Sequence, residues 1–312
     1  MSSKGSPARV AILLCTFNGQ KFLTEQLDSI QRQTHKQWKV FASDDGSADG
    51  TPQVLAQYVR NWGADRLDVR IGPGKGFVAN FLSLACDTAI KADYYGFCDQ
   101  DDLWDADKLE RALAWLDTAP RGMPALYCAR TRLIAEDGGD IGFSPFFGKP
   151  LTFRNALVQS IAGGNTMVFN EAARQLLVAA GADVDVITHD WWLYMLVTGC
   201  GGTVHYDFEP SVSYRQHGRN LVGSNASWMA SYSRAKRLLA GRFSSMNERN
   251  IIALERVRQK LTADSQDVLM LFSRARNSAP IPRVVGIVKS GVYHHTFLGT
   301  LGLIAATLFK KL

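Results

Sequence analysis

The 312-residue chain is 46% hydrophobic and 21% charged, with a net charge of +6, an ordinary globular composition that can bury a full core as one large domain or one domain with an appendage. Its five cysteines, at 15, 86, 98, 128 and 200, form no CxxC pair and sit mostly in apolar runs, which excludes a disulfide framework or a zinc site and points to small core residues in a reducing compartment. The apolar run from Val10 to Cys15 is too short for a signal-peptide core and lacks a small-residue cleavage pattern, so a cytoplasmic protein is expected.

The first half alternates strand-like and helix-like segments. Arg9 to Cys15 is a β-branched and apolar run, and Phe22, Leu23, Leu27 and Ile30 then recur at helical spacing. Trp38 to Ala42 predicts a second strand; Thr51 and Pro52 predict the cap and first turn of a helix carrying Val54, Leu55 and Tyr58. Leu67 to Ile71, a helical run from Phe77 to Ile90, and Tyr94 to Cys98 continue the alternation. Such an order predicts an α/β layer sandwich with a mainly parallel central sheet flanked by helices. The acidic stretches "SDDGSADG" (43–50) and "DQDD" (99–102) follow the second and fourth strands, at the carboxyl edge where open α/β sheets bind ligands.

Beyond Leu116, Ala125 to Arg130 predicts another strand, and "EDGGDIGFSPFFGKP" (136–150) a long lid-like or acceptor-facing loop. "GGNTMVF" (163–169) predicts a tight turn into a strand, Glu171 to Ala180 a helix, and "HDWWLYMLVTG" (189–199) a helix with a polar start. "TVHYDF" and "SVSYRQH" are strand-like. Residues 1–225 hold 21 Lys+Arg against 25 Asp+Glu, whereas residues 226–312 hold 14 against 4, which marks a basic helical C-terminal extension.

"LLCTFNGQKFLTEQLDSI" (13–30), "SDDGSADGT" (43–51), "GFVANF" (76–81), "FCDQDDLWDADKL" (97–109), "GGNTM" (163–167), "HDWW" (189–192) and "YRQHGRN" (214–220) together resemble a bacterial family 2 glycosyltransferase of the rhamnosyltransferase-like group. The resemblance covers about residues 8–225. It implies a GT-A fold, with a nucleotide-binding half over about 8–120 and an acceptor half over about 121–225. It also implies a nucleotide-sugar donor linked to dTDP or UDP, a Mg²⁺ or Mn²⁺ ion, and inversion at the anomeric carbon.

Carried onto this sequence, the resemblance makes Asp101 the principal metal ligand, Asp99 a residue near the ribose or the metal, and His217 a completing ligand. Asp44 or Asp45 would accept from a pyrimidine N–H, with Thr16, Phe17 and Asn18 lining the pocket and Glu25 in reach of it. Asp190 matches the catalytic carboxylate. Trp191 and Trp192 would wall the acceptor pocket, Gly164 and Asn165 would let backbone approach the acceptor sugar, and Arg215 and Arg219 would meet phosphate. Bland readings stand beside these: Asp, Gly and Ser are ordinary turn formers, Asp190 can serve as a helix cap, and paired tryptophans on a helix are commonly core.

The chemistry agrees with the resemblance. A departing diphosphate accumulates charge that a cation held by carboxylates can stabilise, and a single inverting displacement needs one base. A nucleotidyltransferase would carry a Gly-rich, basic phosphate loop where this chain has "CTFNGQ", and "GPGKG" (72–76) lacks the Lys-Ser/Thr that opens a P-loop helix. The basic tail has no stacking pattern or reading motif for nucleic acid. Thr296 to Phe309 is 14 residues without a charge, short of the roughly 20 that span a bilayer. The tail is therefore expected as an interfacial segment on an anionic inner-membrane surface, near a lipid-linked or glycan acceptor, with packing on the protein or in a homo-oligomer left open.

Overall fold

The structure, a computed structural model, describes residues 8–217 and 242–310. Seven strands form the main sheet: β1 (Val10–Thr16), β2 (Trp38–Asp44), β3 (Leu67–Ile71), β4 (Tyr94–Cys98), β6 (Ala125–Ala129), β9 (Val168–Asn170) and β10 (Thr203–Asp207), in the order β10-β6-β9-β4-β1-β2-β3. All seven residues of β1 are buried, as a central strand covered on both faces requires. β1 pairs in parallel with β2 and β4, β2 with β3, and β10 with β6. β9 alone in this sheet runs antiparallel, between β4 and β6.

Helices α1 (Gln20–Gln31), α2 (Thr51–Trp62), α3 (Phe77–Cys86), α4 (Lys108–Leu116), α6 (Glu171–Ala180) and α7 (His189–Gly199) accompany the strands, with a short α5 at Phe153–Ala156. α1 inserts Phe22, Leu23, Leu27 and Ile30 into the core, the positions its spacing predicted. Two boundaries differ from expectation. Thr51 is the first helical residue rather than the cap, since Gly50 holds that place and the Thr51 hydroxyl bonds Asp49 at 2.5 Å. α3 ends at Cys86, where Asp87 turns extended.

A second sheet decides where the site lies. It joins β5 (Leu103–Trp104), β11 (Val212–Arg215), β7 (Arg132–Ile134) and β8 (Asp140–Phe143) in the order β5-β11-β7-β8. β8 falls within residues 136–150, so that stretch is partly a strand and not only a loop. β5 begins directly after the four-residue acidic turn, and Leu103 pairs antiparallel with Ser213. That register carries Arg215 and His217 back to Asp102 and Asp101.

Four helices close the described chain: α8 (Arg242–Arg256), α9 (Ala263–Arg276), α10 (Pro280–Ser290) and α11 (Phe297–Leu308). Leu254, Leu269 and Phe272 share one hydrophobic core with Leu193, Tyr194 and Val197 of α7. The described tail is thus packed on α7 through common apolar burial.

Candidate active site

The acidic turn after β4 divides its work residue by residue. Asp102 is fully buried; its carboxylate accepts from the Asn165 amide at 2.5 Å and from the Arg215 N–H at 3.2 Å, tying the turn to the two segments that face it. Gln100 clamps the Phe17 backbone, accepting from its N–H at 2.8 Å and donating to its carbonyl at 3.0 Å. Asp101 Oδ2 lies 2.7 Å from His217 Nε2. Burial, then the charges of Asp101 and Asp190, push the Asp99 carboxyl up to about 8.

α7 presents that base candidate. Thr188 is the helix cap residue and Asp190 lies in the first turn. Asp190 Oδ2 accepts the Gly164 N–H at 3.0 Å and Oδ1 the Trp191 N–H at 2.6 Å. The antiparallel sense of β9 brings Gly164 here, because the amino end of that strand meets the carboxyl end of β4. His189 stacks on Phe81 at 3.9 Å and meets the edge of Phe97 at 4.6 Å. Burial pushes its imidazole down to about 4, against an opposing pull from Asp190. A side chain at Gly164 would bring a Cβ within 2.5 Å of His189 Nε2, so the glycine is there for His189 and Asp190.

Several expected roles are corrected. Trp191 and Trp192 are 5% and 0% exposed, and the Trp191 indole N–H donates to the Ala156 carbonyl at 2.7 Å; they pack the core and wall no pocket. The Asn165 side chain is buried on Asp102. Arg215 is 2% exposed, with its fork on the Glu25 carboxylate (2.7 Å), the Glu136 carbonyl (2.9 Å) and the Asp101 carbonyl (3.2 Å), over the Phe22 ring. It fastens the site's frame and is not presented to phosphate. Glu25 accordingly pairs with Arg215. Arg219 lies outside the described residues.

On the donor side, Thr16 and Ser47 hydroxyls donate to Asp44 Oδ1 at 2.8 and 2.6 Å. The Asp45 oxygens accept the N–H groups of Gly74 and Gly76 at 2.6 and 2.8 Å, pinning the "GPGKG" loop. Asn18 takes a positive φ of 47° and its side chain accepts from Ala48 N–H at 2.8 Å, a conformation that asparagine tolerates better than most residues. The Phe17 ring is 57% exposed at the carboxyl edge. Thr16, Phe17, Asn18, Asp44 and Asp45 therefore meet in one wall, with both aspartates already holding turns.

The glycosyl transferase family 2 model matches residues 11–175, just over half of the chain. The chain belongs to glycosyl transferase family 2. Among relatives, dTDP-rhamnosyl transferase RfbG of Shigella flexneri is 29% identical over 233 residues, covering 71% of this chain and 77% of the relative. Solved structures share the GT-A fold: TarS residues 1–349 of S. aureus in complex with UDP (TM-score 0.52, 15% identity, 97% of this chain and 89% of that one), and the mannosyltransferase PcManGT of Pyrobaculum calidifontis in complex with GDP-Man and Mn²⁺ (TM-score 0.50, 17% identity, 98% and 86%). Family membership removes the nucleotidyltransferase reading.

In this glycosyltransferase, sequence reasoning missed three residues beside the site. Gln100 and His189 had a signal, lying inside the two motifs that carry the chemistry. Lys108 lies in the first of these motifs too, but nothing local marks its burial: it is fully buried with its ammonium 3.8 Å from the Trp104 ring centre, and burial pushes it down to about 7 despite opposing pulls from Cys98 and Asp102.

Proposed function

We propose that this glycosyltransferase moves rhamnose from dTDP-rhamnose to a hydroxyl of a growing cell-surface glycan by a single inverting displacement. The observation that carries the mechanism is that one turn joins the candidates: Gly164 N–H donates to Asp190 and the neighbouring Asn165 amide to Asp102, beside the Asp101–His217 pair. The 29% identity to a dTDP-rhamnosyl transferase supports the donor. In the reaction the acceptor oxygen forms the new bond to the anomeric carbon as its proton passes to Asp190. The glycosidic bond breaks, and the nucleoside diphosphate leaves with the electron pair. Gly164 N–H and Trp191 N–H hold the two Asp190 oxygens in place, and positioning of this kind is worth several powers of ten in rate.

Among the described residues no group of three or more His, Cys, Asp or Glu is arranged to hold a metal by itself. The pair formed by Asp101 and His217 nevertheless fits Mg²⁺ or Mn²⁺, since donor phosphates and water can complete the coordination of a hard cation. When bound, such an ion supplies charge neutralisation for the departing diphosphate. Asp190→Asn, which keeps shape and removes the proton acceptor, is the test. Transfer from dTDP-rhamnose should fall by about 100-fold or more with donor affinity unchanged. Unchanged turnover overturns the base role, and turnover with UDP-sugars alone in a donor panel overturns the rhamnose reading.

A further inference from the structure

The last two helices expose an apolar face that the sugar-transfer reading does not use. On α10, Ile281, Val285 and Val288 are exposed; on α11, Phe297, Leu301 and Ile304 repeat the same i, i+4, i+7 spacing, with Ile281 80% and Phe297 75% accessible. Such spacing puts each set on one side of its helix. The opposite sides, with Ile287 on α10 and Leu303 and Ala306 on α11, are buried in the core. Arg283, 5% exposed, donates from α10 to the Thr307 carbonyl of α11 at 3.1 Å and fixes the two helices together. An apolar surface repeated over two rigidly joined helices is the kind that marks an interaction site.

Charge selects the occupant. Residues 277–312 contain no Asp or Glu and four cationic residues, Arg283, Lys289, Lys310 and Lys311, of which Lys289 and Lys310 are exposed. A second copy of the chain would set lysines against lysines, whereas an anionic bilayer offers hydrocarbon for the stripes and negative headgroups for the rim. α11 spans 12 residues, about 18 Å at 1.5 Å per residue, and no described helix is long and apolar enough to cross a membrane. The geometry is that of a helix pair lying on a surface.

The face is joined to the catalytic side. The link between α10 and α11 clips onto residues 149–159: the Tyr293 carbonyl accepts from the Asn155 amide at 3.0 Å, and His295 N–H donates to Gln159 Oε1 at 2.9 Å. Asn155 Oδ1 in turn accepts from the Tyr194 hydroxyl of α7 at 2.9 Å, and α7 carries Asp190. We propose that α10 and α11 form a docking face for an anionic lipid bilayer and hold the Asp190 side of the site at the membrane surface.

Vesicle co-sedimentation tests this without donor or acceptor, so its outcome is separate from that of the sugar-transfer reading. The full chain should pellet with phosphatidylglycerol-containing vesicles, far less with phosphatidylcholine vesicles, and less as salt rises. Phe297→Glu with Leu301→Glu should weaken partition by about tenfold or more with melting temperature unchanged. Lys289→Gln and Lys310→Gln should each cost about fivefold on anionic vesicles alone. Equal sedimentation of the parent chain with both lipids and at all salt concentrations overturns the proposal even if a variant misfolds. So does a dimer in analytical ultracentrifugation that the glutamates dissociate while vesicle binding is unchanged.

Discussion

Gly164→Ala tests how tightly the base is positioned, because the substitution leaves the backbone N–H to Asp190 in place and adds a single methyl group. Its Cβ would stand 2.5 Å from His189 Nε2, 3.3 Å from Cε1 and 3.4 Å from Asp190 Cβ. Restoring ordinary contact requires the imidazole to retreat by about 0.9 Å, the gap between 2.5 Å and the 3.4 Å at which normal contact begins. The ring has little room: it is 4% exposed and stacked on Phe81 at 3.9 Å. Overpacking of this kind costs about 1–3 kcal/mol, or a fall of a few degrees in Tm for a chain of this size. Because His189 and Asp190 share the first turn of α7, the carboxylate shifts with the ring, and a displacement approaching 1 Å costs about 100-fold in transfer. Donor affinity should be unaffected, since no donor-side residue moves. Calorimetric melting, transfer kinetics and nucleotide titration read the three quantities. Adding His189→Ala to Gly164→Ala should remove the clash, so the double variant should melt no lower than His189→Ala alone, a coupling of about 1–2 kcal/mol. Parental melting and turnover in Gly164→Ala, or strictly additive penalties, would refute the steric argument.

Asp101→Ala should lower nucleoside diphosphate affinity in the presence of Mg²⁺ or Mn²⁺ by at least about tenfold and leave it unchanged in chelator; equal affinity in both conditions, measured by titration calorimetry, would return the turn to a structural role. Acid should loosen the tail. Burial, reinforced by His294 and Lys149, pushes His295 down to about 4 from its ordinary 6.5, so from pH 6.5 toward 4 the unfolded chain takes up the proton first. Stability is then full above pH 6.5 and is lost progressively as the pH falls toward 4. His295→Asn should flatten the decline in Tm between pH 7 and 5, and an unchanged slope would speak against it. Arg154→Ala removes a two-pronged pair with Asp264 at 2.8 Å, yet the side chains are 37% and 66% exposed, so urea unfolding should show a loss below about 1 kcal/mol.

The parts of the fold readable from the chain were those with long apolar runs or fixed periodicity. Leu67–Ile71 and Tyr94–Cys98 are strands at the boundaries their composition suggested, and the motifs after β2 and β4 do lie at the carboxyl edge. β8 escaped because a strand of four residues carries too little alternation to register, whereas the turn into β9 was legible in "GGNTMVF". Asp101 and His217 lie 2.7 Å apart, through a register that no local pattern specifies. Arg215 was misread for the same reason: a guanidinium's partner depends on which strand lies alongside, and here it faces Glu25 and two carbonyls. The tryptophan pair had a legible signal, since "WWLYMLV" is apolar around the whole helix and an all-round apolar helix is a buried one.

The three-residue strand β9 also governs the order in which the molecule can be assembled. β1 to β4 pair with one another using only residues up to Cys98, so that half can form while the rest of the chain is still being made. Its growing edge, β4, then waits some 70 residues for Val168–Asn170, and β6 and β10 can join only through that same short strand. Until it arrives the unfinished protein carries open strand edges at β4 and β6, the kind of surface that templates pairing with other chains. A substitution that weakens Val168 or Phe169 therefore exposes nascent chains to aggregation out of proportion to its cost in the finished fold, and the yield of soluble protein registers it before the melting temperature does.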